Sequence, residues 1–281
     1  MDAKMHAKRA EAFKALHERP GLFVIPNPWD AGSARMLATL GFEALATTSA
    51  GFAFSLGKPD AEGAVDRDET LVNAAMIVEA TSLPVSADLE NGFGDAPDTC
   101  RQTIALAAEV GLAGGSIEDA TGVADDPIYA FDLSVERVRA AVEGARSLPF
   151  PFVLTARAEN LINRRPDLGD TIRRLVAFAE VGADVLYAPG LKTREEVDAV
   201  VRAVAPRPVN VVMGLSGAAL SLDVLAQLGV KRVSLGSSLA RAAYGAFFRA
   251  AQEVKHQGTF AFAQEAISYA EINAMFKSRR F

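Results

Sequence analysis

The chain has 281 residues, half of them hydrophobic and 23% charged, with a formal net charge of -6, and that length buries a full core as one large domain or two small ones. Its 29 Lys and Arg against 35 Asp and Glu, without a basic block, exclude a nucleic-acid surface, while a local arginine and a bound cation still leave room for a small anionic substrate. Cys100, the only cysteine, excludes an intrachain disulfide and a thiolate zinc cluster; no apolar run reaches membrane-spanning length, so no membrane contact and a cytoplasmic location are expected.

Residues 4–17 read as a surface helix stopped by Pro20-Gly21. Leu22 to Ile25 is a short strand, and the turn Pro26-Asn27-Pro28-Trp29-Asp30 continues neither periodicity. Trp29 either lines a pocket or covers a core edge. A helix from Ala31 to Leu40 leads to a strand over 44–48 and then to a long glycine-rich loop over 49–67. Its opening Ser49-Ala50-Gly51 either offers a hydroxyl and N–H groups to a carboxylate or simply turns the chain. Asp60 follows Pro59, which pre-sets the backbone there.

After a helix at 68–80, a strand over 84–88 ends in Asp88-Leu89-Glu90 under a glycine-rich turn. The strand at 114–118 runs into Glu118-Asp119, and the one at 152–157 into Arg157-Ala158-Glu159-Asn160. Carboxylates gathered at strand tips call for a positive partner, and a hard divalent cation of the Mg2+ kind takes such oxygen ligands, often through water; the alternative is an exposed acidic loop. Cys100, early in a helix over 97–110, suits packing better than chemistry. Residues 119–133 form a second long loop of the length expected of a lid. Helices at 134–145, 170–181, 193–204 and 217–228 alternate with strands at 184–187, 209–213 and 232–235. His6, His17 and His256 all fall in terminal helices, where surface positions are expected.

One join recurs. Gly41, Gly111, Gly182 and Gly229 each end a helix a few residues before an apolar strand, as a left-handed helix terminus feeding an αβ connection requires. Four copies imply a chain of αβ units. Eight strands in this length fit a (β/α)8 TIM barrel spanning 1–281 as one domain, with chemistry at the C-terminal strand ends. A doubly wound open sheet is the other architecture, but no Gly-x-Gly-x-x-Gly turn follows an early strand. Helices at 237–256 and 260–277 exceed what one barrel needs; they pack either on the same chain or across a subunit interface.

NPWDAGSAR (27–35), TTSAG (47–51), Asp60, DLENG (88–92), IED (117–119) and TARAEN (155–160), in this order, resemble the isocitrate lyase and phosphoenolpyruvate mutase superfamily. The resemblance implies a barrel whose eighth helix is swapped between subunits, assembled as a homotetramer. It implies an Mg2+ site, with Mn2+ able to replace it, and a 2-oxo or 2-hydroxy acid whose C–C or P–C bond is made or broken beside an enolate. By motif, Asp88 would be the direct metal carboxylate, with Asp60, Glu90 and Glu118 holding its waters. Ser49, Ala50 and Gly51 would bind the substrate carboxylate, Trp29 would wall the pocket, Asn210 would lie near the second substrate group, and Arg157 would reach carboxylate and oxyanion.

The departures narrow the chemistry. Glu90 stands where the family usually has Asp, and the loop from Asp119 to Pro127 lacks the Lys-x-Cys-Gly-His pattern of the lyases and the lysine of the mutases. Arg157, Asp60, Glu118 and Tyr187, the last a proton source beside water, remain as candidate catalytic groups. They suffice for a Mg-dependent lyase or decarboxylase of a small 2-oxo or 2-hydroxy di-acid working through a metal-bound enolate. A mutase or phosphonopyruvate-type enzyme is the alternative, and a non-catalytic ligand-binding barrel the non-enzyme reading.

Overall fold

The computed structural model describes residues 3–214 and 220–277. Eight parallel strands, β1 (Phe23–Ile25), β2 (Leu45–Ala46), β3 (Val85–Asp88), β4 (Gly114–Glu118), β5 (Val153–Arg157), β6 (Val185–Tyr187), β7 (Val209–Val212) and β8 (Arg232–Ser234), form one sheet. Its order is β1-β8-β7-β6-β5-β4-β3-β2. The last seam, between β1 and β2, is bridged by the Ala46 N–H donating to the Pro26 carbonyl at 3.1 Å. The sheet is thus a nearly closed barrel ringed by helices.

The helices start where side chains can cap them. Asp30 caps α2 (Ala31–Thr39) and Asp66 caps α4 (Arg67–Ala80), each in a reciprocal capping box with Ser33 or Glu69. Between them, residues 49–55 of the expected loop are helical instead: Thr48 accepts from the Gly51 N–H and starts α3 (Ser49–Ser55), which also cuts β2 short. The outer layer continues with α5 (Pro97–Glu109), α6 (Phe131–Arg146), α7 (Leu168–Glu180), α8 (Arg194–Val204) and α9 (Leu222–Gln227). The first residues of the helix expected at 217–228 lie outside the described residues. Gly41, Gly111, Gly182 and Gly229 have φ of 82°, 94°, 106° and 82°, so the recurrent αβ join is a left-handed turn.

The N-terminal helix, α1 (Ala3–Glu18), corrects the surface reading. Ala10, Phe13 and Leu16 pack with Phe23, Ile25, Val153 and Val185 and close the N-terminal end of the barrel. Arg9 donates to the carbonyls of Val78 and Thr81 at 3.1 and 2.6 Å. His6 is buried and His17 half-buried, against expectation. Burial and the nearby Arg232 push the His17 imidazole down to about 3, so it sits there neutral. Amphipathic spacing hid this, because Lys4, Lys8, Glu11 and Lys14 line the outward face.

Past β8 come α10 (Ser238–Gln257), a 3-10 turn over 261–264 and α11 (Tyr269–Lys277). α11 packs on α2 of the same chain, where Arg35 donates to the Phe276 carbonyl at 3.1 Å. On α10, Ala240 is buried while Phe247 and Phe248 stand 70% and 61% exposed. Among the described residues no helix is long and apolar enough to cross a membrane.

Candidate active site

Three strand ends deliver their charges to one point. β3, β4 and β5 lie side by side in register, with Asp88 paired to Ser116 and Glu118 to Arg157. Arg157 fills the centre. Its Nη1 donates to Asp88 Oδ1 at 2.8 Å, its Nη2 meets Glu118 Oε2 at 3.0 Å, and its Nε donates to Glu159 Oε1 at 2.8 Å. Burial alone would lower the guanidinium, but Asp88, Glu118 and Glu159 outweigh it and hold the pKa well above its ordinary value. A planar fork with donors on three sides suits this place as a lysine would not.

The acids outnumber that one cation. Burial, then Asp88 and Asp60, push the Glu90 carboxyl up to about 7. Asp60 is raised by burial and by Asp88, and Glu118 is raised by burial, which Arg157 only partly offsets. Ser49 on α3 donates its hydroxyl to Asp88 Oδ2 at 3.0 Å. Glu90 itself has φ 47° and Phe93 φ 63°, left-handed values uncommon outside glycine, so the turn after β3 is held against its local preference.

These groups line a cleft of about 970 Å³ at the C-terminal mouth of the barrel, with Asp60, Glu90, Glu118, Arg157 and Glu159 on its walls. A smaller cavity of about 170 Å³ shares Ser49, Asp60 and Arg157 with it and adds Ala50, Tyr187 and Asn210. Among the described residues lining either one there is no Lys, Cys or His. The Tyr187 ring lies 5.1 Å from the Arg157 guanidinium, and burial pushes its hydroxyl pKa up. Asn210 is buried, donating to Ser234 at 3.0 Å and accepting from Arg232 at 2.8 Å.

Two expected pocket residues stand back from it. Trp29 lines neither cavity; it backs the chain at Gly51, where an added Cβ would come within 3.0 Å of the Trp29 Cβ and 2.6 Å of Thr48. The Gly51 N–H is committed to the Thr48 hydroxyl at 3.2 Å, because the helix that starts there needs its cap. That leaves Ser49 and Ala50 as the members of the trio facing the cavities.

Glu159, 2% exposed, was given no role by sequence reasoning, although it sits in the TARAEN stretch. Its backbone N–H donates to Asp119 at 2.8 Å, and Asp119 pairs with Arg174 of α7 at 3.1 Å. The loop after β4 is pinned rather than open: Ala120 bridges Ile128, and the Tyr129 hydroxyl donates to Asp95 at 2.6 Å while accepting from Asn91 at 3.1 Å.

Residues 13–255 match the family model described as phosphoenolpyruvate phosphomutase. A solved structure from Burkholderia cenocepacia J2315, described as a lyase/mutase, is 64% identical, covers 98% of each chain and superposes with a TM-score of 0.95. Oxaloacetate acetylhydrolase in complex with 3,3-difluorooxalacetate is 27% identical over 96% of this chain and 93% of that one, TM-score 0.85. An uncharacterised protein of Mycobacterium tuberculosis H37Rv is 31% identical over 266 residues, 94% of this chain and 95% of its own. With a nearly closed eight-stranded barrel and charged strand ends beneath these matches, the chain belongs to the phosphoenolpyruvate phosphomutase family, within the isocitrate lyase and phosphoenolpyruvate mutase superfamily.

Proposed function

We propose that the protein is a lyase or mutase that makes or breaks a bond next to the keto carbon of a small oxo acid bound between Ser49 and Arg157. The observation that carries this is the Arg157 guanidinium, clasped by Asp88, Glu118 and Glu159 at the floor of the cleft. A fixed cation in a partly water-free site stabilises negative charge as it develops on a substrate oxygen.

A divalent cation fits the donor set. Asp60, Asp88, Glu90 and Glu118 supply only oxygen ligands, and Arg157 does not balance them. Among the described residues no three acidic, His or Cys side chains form a ready cage, so the proposal is one direct carboxylate, Asp88, with water between the cation and the others. When bound, Mg2+ or Mn2+ would polarise the keto oxygen. The chain's own groups do the rest: Ser49 orients Asp88, Arg157 faces the substrate carboxylate or oxyanion, and the pinned loop after β4 limits water.

The family-model match favours the P–C reading over the decarboxylation expected from the sequence, with phosphonopyruvate or phosphoenolpyruvate as substrate. One observation supports cleavage of a 2-oxo di-acid as a second reading. Arg67 and Arg157 are the cationic side chains lining the larger cleft among the described residues, against Asp60, Glu62, Asp66, Asp68, Glu90, Glu118 and Glu159. A dicarboxylate is easier to hold there than a more highly charged phosphonate. Both set the protein apart from a non-catalytic barrel, where buried unbalanced acids would only cost stability.

The experiment is a Mg2+-dependent panel. Phosphorus NMR of phosphonopyruvate and phosphoenolpyruvate would show a new resonance on P–C chemistry, and a pyruvate- or oxalate-coupled assay would register oxaloacetate and substituted malates. Isocitrate and 2-methylisocitrate should stay intact, since the cleft offers no thiol. Silence across the panel with no cation binding would return the protein to the ligand-binding reading.

A further inference from the structure

The turn that carries Glu90 is held in place by an arginine from another helix. Arg137 lies on α6 and is 1% exposed. Its Nη1 donates to the Gly94 carbonyl at 2.6 Å and to that of Asp95, and its Nη2 to that of Asn91. One guanidinium therefore gathers three carbonyls from five consecutive residues. No carboxylate pairs with it among its described contacts; its face lies 4.1 Å over the Tyr129 ring. Its Nε is a buried side-chain atom without a partner, so the turn's carbonyls, rather than its own full satisfaction, set its pose.

The turn needs that hold. Glu90, Gly92 and Phe93 all have positive φ, at 47°, 81° and 63°, and non-glycine residues persist in that conformation only where their surroundings enforce it. The Glu90 N–H also reaches back to Asp88 Oδ1 at 3.3 Å, so the shape of the turn reaches the Asp88 carboxylate. Tyr129 joins the same unit from the loop after β4: its ring lies under Arg137, and its hydroxyl bonds Asp95 and Asn91.

We propose that Arg137 is a positioning residue that, stacked on Tyr129, locks the left-handed turn at 90–95 to the loop at 119–130 and so sets Asp88 and Glu90 for the cation. The inference rests on the reading of those two carboxylates as cation holders. Outer partners of metal ligands are worth about tenfold to a hundredfold in affinity.

The test uses the full chain and Mn2+ alone. Calorimetric titration of Arg137→Met should show Mn2+ affinity down by about tenfold or more, with Arg137→Lys intermediate and Tyr129→Phe, which keeps the ring and loses the hydroxyl, weaker by a few-fold. Arg9→Met is the control, since that buried arginine also caps carbonyls but at the closed end of the barrel; it should lower the melting temperature and leave Mn2+ affinity alone. Hydrogen–deuterium exchange needs no cation: amides of residues 91–95 and 119–130 should exchange faster in the Arg137 and Tyr129 variants and not in Arg9→Met. If Arg137→Met does not fold, the Lys and Phe variants carry the test. Unchanged exchange at 91–95 in both would overturn the proposal. Faster exchange in a protein that never binds Mn2+ would remove the cation reading and keep the lock.

Discussion

Arg157 Nη1 stands 2.8 Å from Asp88 Oδ1, so the carboxylate proposed as the cation's direct ligand is already paired with a guanidinium. Any cation or substrate that enters must exchange with this pair or share it. The site is therefore assembled before it is loaded.

Arg157→Lys keeps the charge and loses the fork. A lysine can reach one of Asp88, Glu118 and Glu159 but not hold all three, so kcat should drop by about a hundredfold to a thousandfold, the range for losing a preorganised donor. Arg157→Met should also lower stability by about 3–5 kcal/mol, because it leaves buried acids uncompensated. Urea denaturation read beside steady-state kinetics separates the two effects.

Asp88→Ala should remove calorimetrically detectable Mn2+ binding and the activity that depends on it. Its melting temperature should shift little, since Arg157 keeps Glu118 and Glu159. A folded variant that titrates with Mn2+ as the parent does would discard Asp88 as the direct ligand.

The cation-free protein should lose stability as pH rises from about 6.5 to about 8. Glu90 moves from 4.5 to about 7 on folding, and Glu118 shifts the same way. A carboxyl with a raised folded pKa stabilises below its unfolded value and loses that contribution as pH climbs through the folded one. At about 1.4 kcal/mol per pKa unit, Glu90 alone contributes at most about 3.5 kcal/mol, lost between about pH 4.5 and 8, with less than about 1 kcal/mol of it above pH 6.5. His17, with its folded pKa lowered from 6.5 to about 3, acts in the opposite sense: its contribution is present above the unfolded value and fades below it. Above about pH 6.5 little of the His17 contribution remains to be gained, so the carboxylates set the sign of the slope. Thermal melts in chelator should slope downward there, and saturating Mg2+ should flatten the slope.

Arg174→Met should destabilise by about 3–5 kcal/mol, since Asp119 would be left as an unpaired buried acid. Adding Asp119→Asn should recover part of the loss. Two single-variant losses that simply add in urea melts would show that the pair does not act as a unit.

Removing residues 258–281 should split an oligomer, if the expected helix exchange holds. Phe247, Phe248, Phe260 and Tyr269 are 70%, 61%, 66% and 86% exposed in the single chain, which is apolar surface in need of cover. Light scattering that finds a full-length monomer would rule the exchange out.

The barrel was legible because its signals are local. A glycine at four of the αβ joins and charged residues at the tips of β3, β4 and β5 are visible in short windows, and all eight expected strands are present. What stayed hidden depends on distance and direction. Asp119 and Arg174 are 55 positions apart, Arg137 reaches a turn more than forty residues before it, and no spacing rule tells whether Glu159, just past a strand, faces the site. The helix over 49–55 was missed because glycine, alanine and serine read as a loop until Thr48 is seen to cap them.

The stopper formed by α1 makes the barrel a vessel with a single opening. Phe13 and Ala10 are fully buried at the far end, so the way in past Glu90 and the pinned loop is also the way out. Under the proposed function, a bond broken inside would leave one fragment nearer the opening, which would have to depart before the deeper one at Arg157 and Ser49. Product release would then be ordered by depth, with the deeper fragment competing directly with fresh substrate.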